Sequence, residues 1–423
     1  MKYLLFFSFF LYIYSVLILP FKRIFNETMN KNNIFKLLLN NNVVSDIKIG
    51  TPSQSLSLSL KTGVFTLDIS SNICPTNAKK FNPKNSKTYL KYEEYDSPYA
   101  PEPLTTEADE SKDSFIINDI NLTLDFFLYN TTKEYESGVL GIGLKDKNED
   151  FNNYNFIFQI KKLNIIKSYT YTIIYEKKDS GKLIIGEFPH EYDKKIYNSE
   201  NLLPINSLFS NDKKNFEMGI STIIFGDQII EQNYYSCDLV LENGFIRGTE
   251  KLKEYFKNVF LLRHLNKKNC FEVNEEEIQT NSVNTFYYCN ERINIPDLKF
   301  ITRDDKFTFE LNEEDLIYEF KGKYYFLIYF NSLNNKCIIG KPLFKKYQLT
   351  FDQEKKTINF YTKINKQTKK FSLSWFLVAI FFIIICVLLY YIQNFVSKKI
   401  KRIKANELEE NIDYTPENQY IVL

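Results

Sequence analysis

Histidine is nearly absent: His190 and His264 are the only two in 423 residues. Any Ser-His-Asp or Cys-His mechanism would need one of them. His190 stands in Phe-Pro-His-Glu-Tyr, which reads as an exposed turn. His264 stands among Arg263, Lys267 and Lys268, which reads as a solvated helix. Neither has a Ser or Cys partner context, so histidine-based nucleophilic catalysis is not expected. No Cys-x-x-Cys pair occurs, and no metal or other cofactor is implied. Net charge is lacking too. The 54 basic and 52 acidic residues nearly cancel, so no bulk field points to nucleic acid or to an acidic substrate. Alanine is scarce, whereas 30 Tyr and 38 Phe favour half-buried strands over helices.

Both ends carry long apolar runs. Met1-Lys2 precedes an almost wholly apolar stretch over 3–19, a leader pattern that places a signal peptide at 1–20. No clean small-x-small cleavage site follows, so an uncleaved anchor is the alternative. A short N-terminal segment, 21–41, comes next. Phe371 to Ile392 contains no charge, enough to cross a hydrocarbon core of about 30 Å as a helix. Trp375, Tyr390 and Tyr391 lie near its ends, and Lys398, Lys399, Lys401, Arg402 and Lys404 follow. This predicts a single-pass protein with its bulk in the lumen or outside the cell, somewhere along the secretory, endolysosomal or surface route, and a cytosolic tail at 393–423. Tyr420-Ile421-Val422-Leu423 resembles an endocytic signal for a sorting adaptor, with Tyr420 and Leu423 as its reading residues. Asn26, Asn121 and Asn130 head glycosylation sequons on the luminal side. Five cysteines share that oxidising side. Cys270 and Cys289, which bracket a short segment, are the expected disulfide.

Between 42 and 362 the chain reads as all-β: short alternating apolar runs with turn signals between them, such as Ser55–Leu60, Phe115–Asp125 and Lys182–Gly186. Thr249–Leu265 is the best helical segment. The pattern also repeats. Leu58-Ser59-Leu60-Lys61-Thr62-Gly63 with Val139-Leu140-Gly141 is echoed by Leu239-Val240-Leu241-Glu242-Asn243-Gly244 with Ile338-Ile339-Gly340. This suggests two related lobes, 42–190 and 191–362.

Ile49-Gly50-Thr51-Pro52-Ser53-Gln54 and the Lys61-Thr62-Gly63 that follows resemble the first active-site strand of pepsin-like aspartic proteases, IGTP-x-Q then Asp-Thr-Gly. Phe81–Tyr89, Gly138–Gly143, Gly181–Gly186 and Ile338–Phe344 with Phe351-Asp352 resemble further segments of that family, in its order. The resemblance implies a bilobal all-β fold with a central cleft, here followed by a transmembrane helix. It also implies a catalytic carboxylate in each repeat. By the family's spacing from Gln54, Lys61 stands at the first of these places, and by the repeat Glu242 stands at the second. Asp68 is a rival for the first that would require an insertion. Thr62, Gly63, Asn243 and Gly244 are the cleft turns, and Tyr95 and Tyr99 the flap candidates, although no glycine occurs from 64 to 137.

Proteolysis in this family uses two carboxylates sharing one proton, which a lysine cannot do. The expectation is therefore an inactive homologue that binds a peptide or protein segment in its cleft, with Lys61 and Glu242 as an ion pair. One alternative is an active endopeptidase with a non-standard dyad. Another is a structural or adhesive surface glycoprotein.

Overall fold

The computed structural model describes residues 16–24, 34–74, 79–95, 108–130, 137–144, 153–208, 216–277, 281–333, 336–363 and 373–410. It divides into one compact unit through Ile364 and a second from Asn365. Asn26, Tyr99, Tyr420 and Leu423 lie outside the described residues.

The first unit is built on two sheets. In spatial order across the larger, thirteen-stranded sheet, Leu202–Asn206, Thr357–Tyr361 and Thr350–Asp352 precede Thr170–Lys177, Ser180–Ile185, Leu17–Arg23, Val43–Ile49 and Gln54–Lys61. The sheet then continues through Gly138–Gly141, Leu67–Ser70, Ile120–Tyr129, Ala108–Ile117 and Leu90–Tyr95. The smaller sheet has ten strands, all from Glu217–Asn331 and Cys337–Ile339. The last two strands of the C-terminal half thus return to the sheet of the N-terminal half. The boundary between lobes is crossed by backbone pairing, with Phe351 level with Tyr171.

Alternation explains the burial. Leu56, Leu58 and Leu60 of Gln54–Lys61 are at most 2% exposed, because every second side chain of a strand faces the core. The same rule accounts for Leu17–Arg23, where Leu17, Leu19, Phe21 and Arg23 are buried. That strand pairs with Ser180–Ile185 and, at Lys22 and Arg23, with Val44 and Val43. The leader boundary expected at residue 20 therefore falls inside a core strand. A continuous apolar run cannot distinguish a leader's end from a strand that alternates into the core.

The helical segment read at Thr249–Leu265 is present. Thr249 caps Glu250–Tyr255 by accepting the Leu252 amide, and turns through Phe256–Phe260 lead to Leu262–Asn266. His264 is half-buried on the last of these. His190 is not in a simple turn but in the short helix Pro189–Tyr192, its ring Nδ1 2.8 Å from the Tyr361 hydroxyl. The expected Cys270–Cys289 disulfide is formed, across directly paired strand residues. A second bridge, Cys237–Cys337, had no signal in the spacing, because its halves lie 100 residues apart. Cys74 is buried without a disulfide, 3.3 Å from the Tyr129 carbonyl.

In the second unit, Leu373–Glu410 is one helix of 38 residues. Ile380–Lys404 is long and apolar enough to cross a membrane, with a mean hydropathy of 2.2. The helix continues well past the tail boundary expected at 393.

Candidate active site

The two repeats build the same local topology. Gln54–Lys61 runs parallel to Gly138–Gly141, which is antiparallel to Leu67–Ser70, itself parallel to Ile120–Tyr129. In the second lobe, Gln228–Leu239 runs parallel to Cys337–Ile339, which is antiparallel to Ile246–Arg247, itself parallel to Lys323–Asn331.

Register corrects the sequence alignment. Ser59, Leu60 and Lys61 lie level with Val139, Leu140 and Gly141. Asp238 and Leu239 lie level with Ile338 and Ile339, so Val240 reaches the level of Gly340, and its amide bonds the Ile339 carbonyl at 3.1 Å. Two further marks agree. A Cβ on Gly141 would meet the carbonyls of Thr66 and Val64 at 2.4 and 2.7 Å, and one on Gly340 those of Asn243 and Phe245 at 2.1 and 2.5 Å. Leu67 is level with Leu140 as Ile246 is with Ile339. The mate of Lys61 is therefore Val240, and Glu242 stands where the first lobe has Gly63. The sequence reading matched the two Gly residues and was displaced by two. A two-residue slip keeps the in-and-out alternation of a strand, so hydrophobic pattern cannot detect it.

Thr62 joins the lobes. It is 3% exposed, and its hydroxyl accepts the Leu241 amide at 3.0 Å. The hydroxyl proton faces Glu242 Oε2 at 3.0 Å, with the Leu239 carbonyl at 3.4 Å. Glu242 reaches back across. Its Oε2 also accepts the Thr62 amide at 3.1 Å, and its Oε1 accepts the Gly63 amide at 3.0 Å. Both carboxylate oxygens are thus satisfied by the Lys61-Thr62-Gly63 turn. The expected Lys61–Glu242 ion pair is absent. A carboxylate that accepts two backbone amides and a hydroxyl has its charge met without the lysine. Lys61, half-buried at the strand end, has no acidic partner among the described residues.

The Glu242 turn is held locally by its own sequence. Asn243 accepts the Phe245 amide on Oδ1 at 2.9 Å, an Asx turn, and its own amide bonds the Val240 carbonyl at 3.2 Å. Asn41 braces the turn from outside: its amide bonds the Glu242 carbonyl at 2.8 Å, and its Nδ2 bonds the Leu241 carbonyl and the Tyr175 hydroxyl. Gly244 is required because a Cβ there would meet the Leu38 carbonyl at 1.8 Å. That carbonyl belongs to the helix Ile34–Leu39, whose Phe35 stacks on Phe286 at 4.7 Å and meets Tyr325 edge-on at 5.4 Å. Burial pushes the Tyr171 phenol well up, and the Glu242 charge adds to it.

Asp68 lies on Leu67–Ser70, 8% exposed and level with Val139 and Phe127. None of the described contacts joins it to Glu242. Tyr95 ends the edge strand Leu90–Tyr95. Among the described residues no group of three or more His, Cys, Asp or Glu could hold a metal ion.

Beside Gly244, a cavity of about 220 Å³ is lined by Arg23, Leu38, Lys178, Gly244, Tyr318 and Lys341, among others. Lys341 Nζ bonds Asp179 Oδ1 at 2.6 Å, and Arg23 lies 3.7 Å from the same oxygen. Burial, then the Arg23 charge, pull Lys341 down to about 8 despite Asp179. Sequence reasoning missed Val240, Asn41, Phe35 and this ion chain. None of these carries a local pattern, because each is fixed by strand register or by a tertiary contact.

A family model described as eukaryotic aspartyl protease matches residues 42–363. No curated protein matches the chain.

Proposed function

The chain belongs to the eukaryotic aspartyl protease family, and we propose that it is a non-cleaving member that binds a peptide or protein segment in its cleft. The observation that carries this reading is the pair of residues at matching register, Lys61 and Val240, neither of which is a carboxylate. The remaining acid, Glu242, is committed to the Thr62 and Gly63 amides. A proton-sharing dyad needs two carboxylates forced together, whereas an extended ligand is held through backbone hydrogen bonds that need none. The apolar helix supports a membrane tether. The cleft then faces the lumen or cell exterior and the basic end of the helix faces the cytosol, with Tyr420 to Leu423 offered to a sorting adaptor. Asn121 is the favoured glycan site, because it is exposed, whereas Asn130 Nδ2 is engaged by Asp109 at 3.2 Å.

The test is an assay of the full chain in detergent, at acid pH, on a denatured protein. The wild type is expected to leave the substrate intact. Cleavage abolished by Glu242→Gln would overturn the proposal in favour of a protease with an unusual acid. The double variant Lys61→Asp/Val240→Asp, which restores a carboxylate at both matched places, serves as the gain-of-function control.

A further inference from the structure

We infer that the Lys61-Thr62-Gly63 turn is a carboxylate receptor, which Glu242 fills as an internal ligand and whose external ligand is a peptide carboxylate. The inference rests on the non-cleaving reading and names the chemistry of what the cleft takes. Consecutive backbone amides that point the same way form an anion-binding concavity. Here the amides of Thr62 and Gly63, with the Thr62 hydroxyl, converge on one carboxylate at 3.0–3.1 Å. The site is built: Thr62 is buried, and its hydroxyl is positioned from the other side by the Leu241 amide. Lys61 adjoins it with no acidic partner among the described residues, so the turn carries one cation more than Glu242 satisfies by direct pairing.

Glu242 competes as a tethered group, with an effective concentration on the order of millimolar or higher. A free small carboxylate therefore cannot displace it, but a peptide that adds backbone hydrogen bonds along the cleft can. The shared chemistry is a carboxylate, from either a chain terminus or an Asp or Glu side chain.

The test uses the full chain in detergent as wild type, Glu242→Ala and Lys61→Ala/Glu242→Ala. Thermal midpoints are followed against sodium acetate, with sodium chloride at matched ionic strength. Acetate is expected to raise the Glu242→Ala midpoint saturably and to leave the wild type unmoved. The double variant keeps both amides and the hydroxyl and is expected to answer acetate at a similar concentration, because Lys61 makes no ion pair with the carboxylate seated in the turn. N-acetyl-alanyl-alanine and N-acetyl-aspartyl methylamide then separate a terminal from a side-chain carboxylate by which acts at lower concentration.

A Glu242→Ala protein that answers acetate no better than chloride overturns the receptor, as does a wild type that rises in parallel. Failure of both peptides where acetate acts overturns the assignment to a peptide ligand. Should Glu242→Ala not fold, Glu242→Gly, which copies the residue at the matching place, replaces it. Recovery of folded protein purified in acetate against chloride is then the readout. Substrate cleavage by the wild type would sink the non-cleaving reading while leaving these titrations unchanged, so the two failures are separable.

Discussion

The turn after Gln54–Lys61 and the turn after Gln228–Leu239 occupy the same place in two copies of one topology, yet they divide the work unequally. The first, Lys61-Thr62-Gly63, supplies donors: two amides and a hydroxyl aimed at Glu242. The second, Val240-Leu241-Glu242, supplies the acceptor. A symmetric site in which each turn offered a carboxylate would put two like charges at close range. Here one turn binds the other's side chain, and the charge is neutralised by oriented dipoles. The same asymmetry recurs one layer deeper. Cys237 and Cys337, level with one another, are joined by a disulfide in the second lobe. At the matching place in the first lobe Leu58 lies over Gly138, where an added Cβ would come within 3.0 Å of the Leu58 side chain. A third pair is Ile142, fully buried after Gly141, against Lys341, buried after Gly340 but tied to Asp179. Duplicated backbone thus fixes where a residue stands, not what it does.

The largest expected effect tests whether the two copies are equivalent at the backbone. Gly141→Ala and Gly340→Ala should each cost more than about 4 kcal/mol or abolish folding, because the added carbon meets backbone carbonyls that cannot swing aside. Denaturant melts of the two variants would show it, and a large cost for only one would break the matched register.

A smaller effect sharpens the Ile142–Lys341 contrast. Lys341 has its folded value lowered to about 8 from 10.5. Between these values the unfolded chain holds a proton that the folded chain has lost, so unfolding free energy rises with pH across that window. Below about 8 both states are protonated and the penalty is fully present. The rise amounts to about 3 kcal/mol at most. Lys341→Ile, which copies the first lobe, should flatten that climb in melts from pH 7 to 10.5. A climb as steep as in the wild type would show that other groups cause it.

The smallest effect concerns the bridge itself. Thr62→Val removes the hydroxyl and leaves the buried Leu241 amide unpaired, at a cost of about 2 kcal/mol. Thr62→Ser should recover most of it. If the two variants melt together, the hydroxyl does not join the lobes.

Much of this was legible before any coordinates. The alternating runs, the doubled strand-and-glycine pattern and the uncharged Phe371–Ile392 stretch are local signals, and each led to the element found. The Cys270–Cys289 bridge followed from a short span. What failed was the match of Glu242 to Lys61, because Gly244 served as the anchor. Gly244 is needed because it makes room for the Leu38 carbonyl.

The sequence by itself determined the fold, the membrane-length helix and the presence of a lysine where the family's spacing expects an acid, since these depend on periodicity, composition and residue identity within short windows. Tertiary structure alone decided that Val240 holds the place matching that lysine in the second repeat and that Glu242 serves the opposite turn. Strand register between segments about a hundred or more residues apart is set by pairing and by where glycine lets backbones touch. No local pattern records a slip of two.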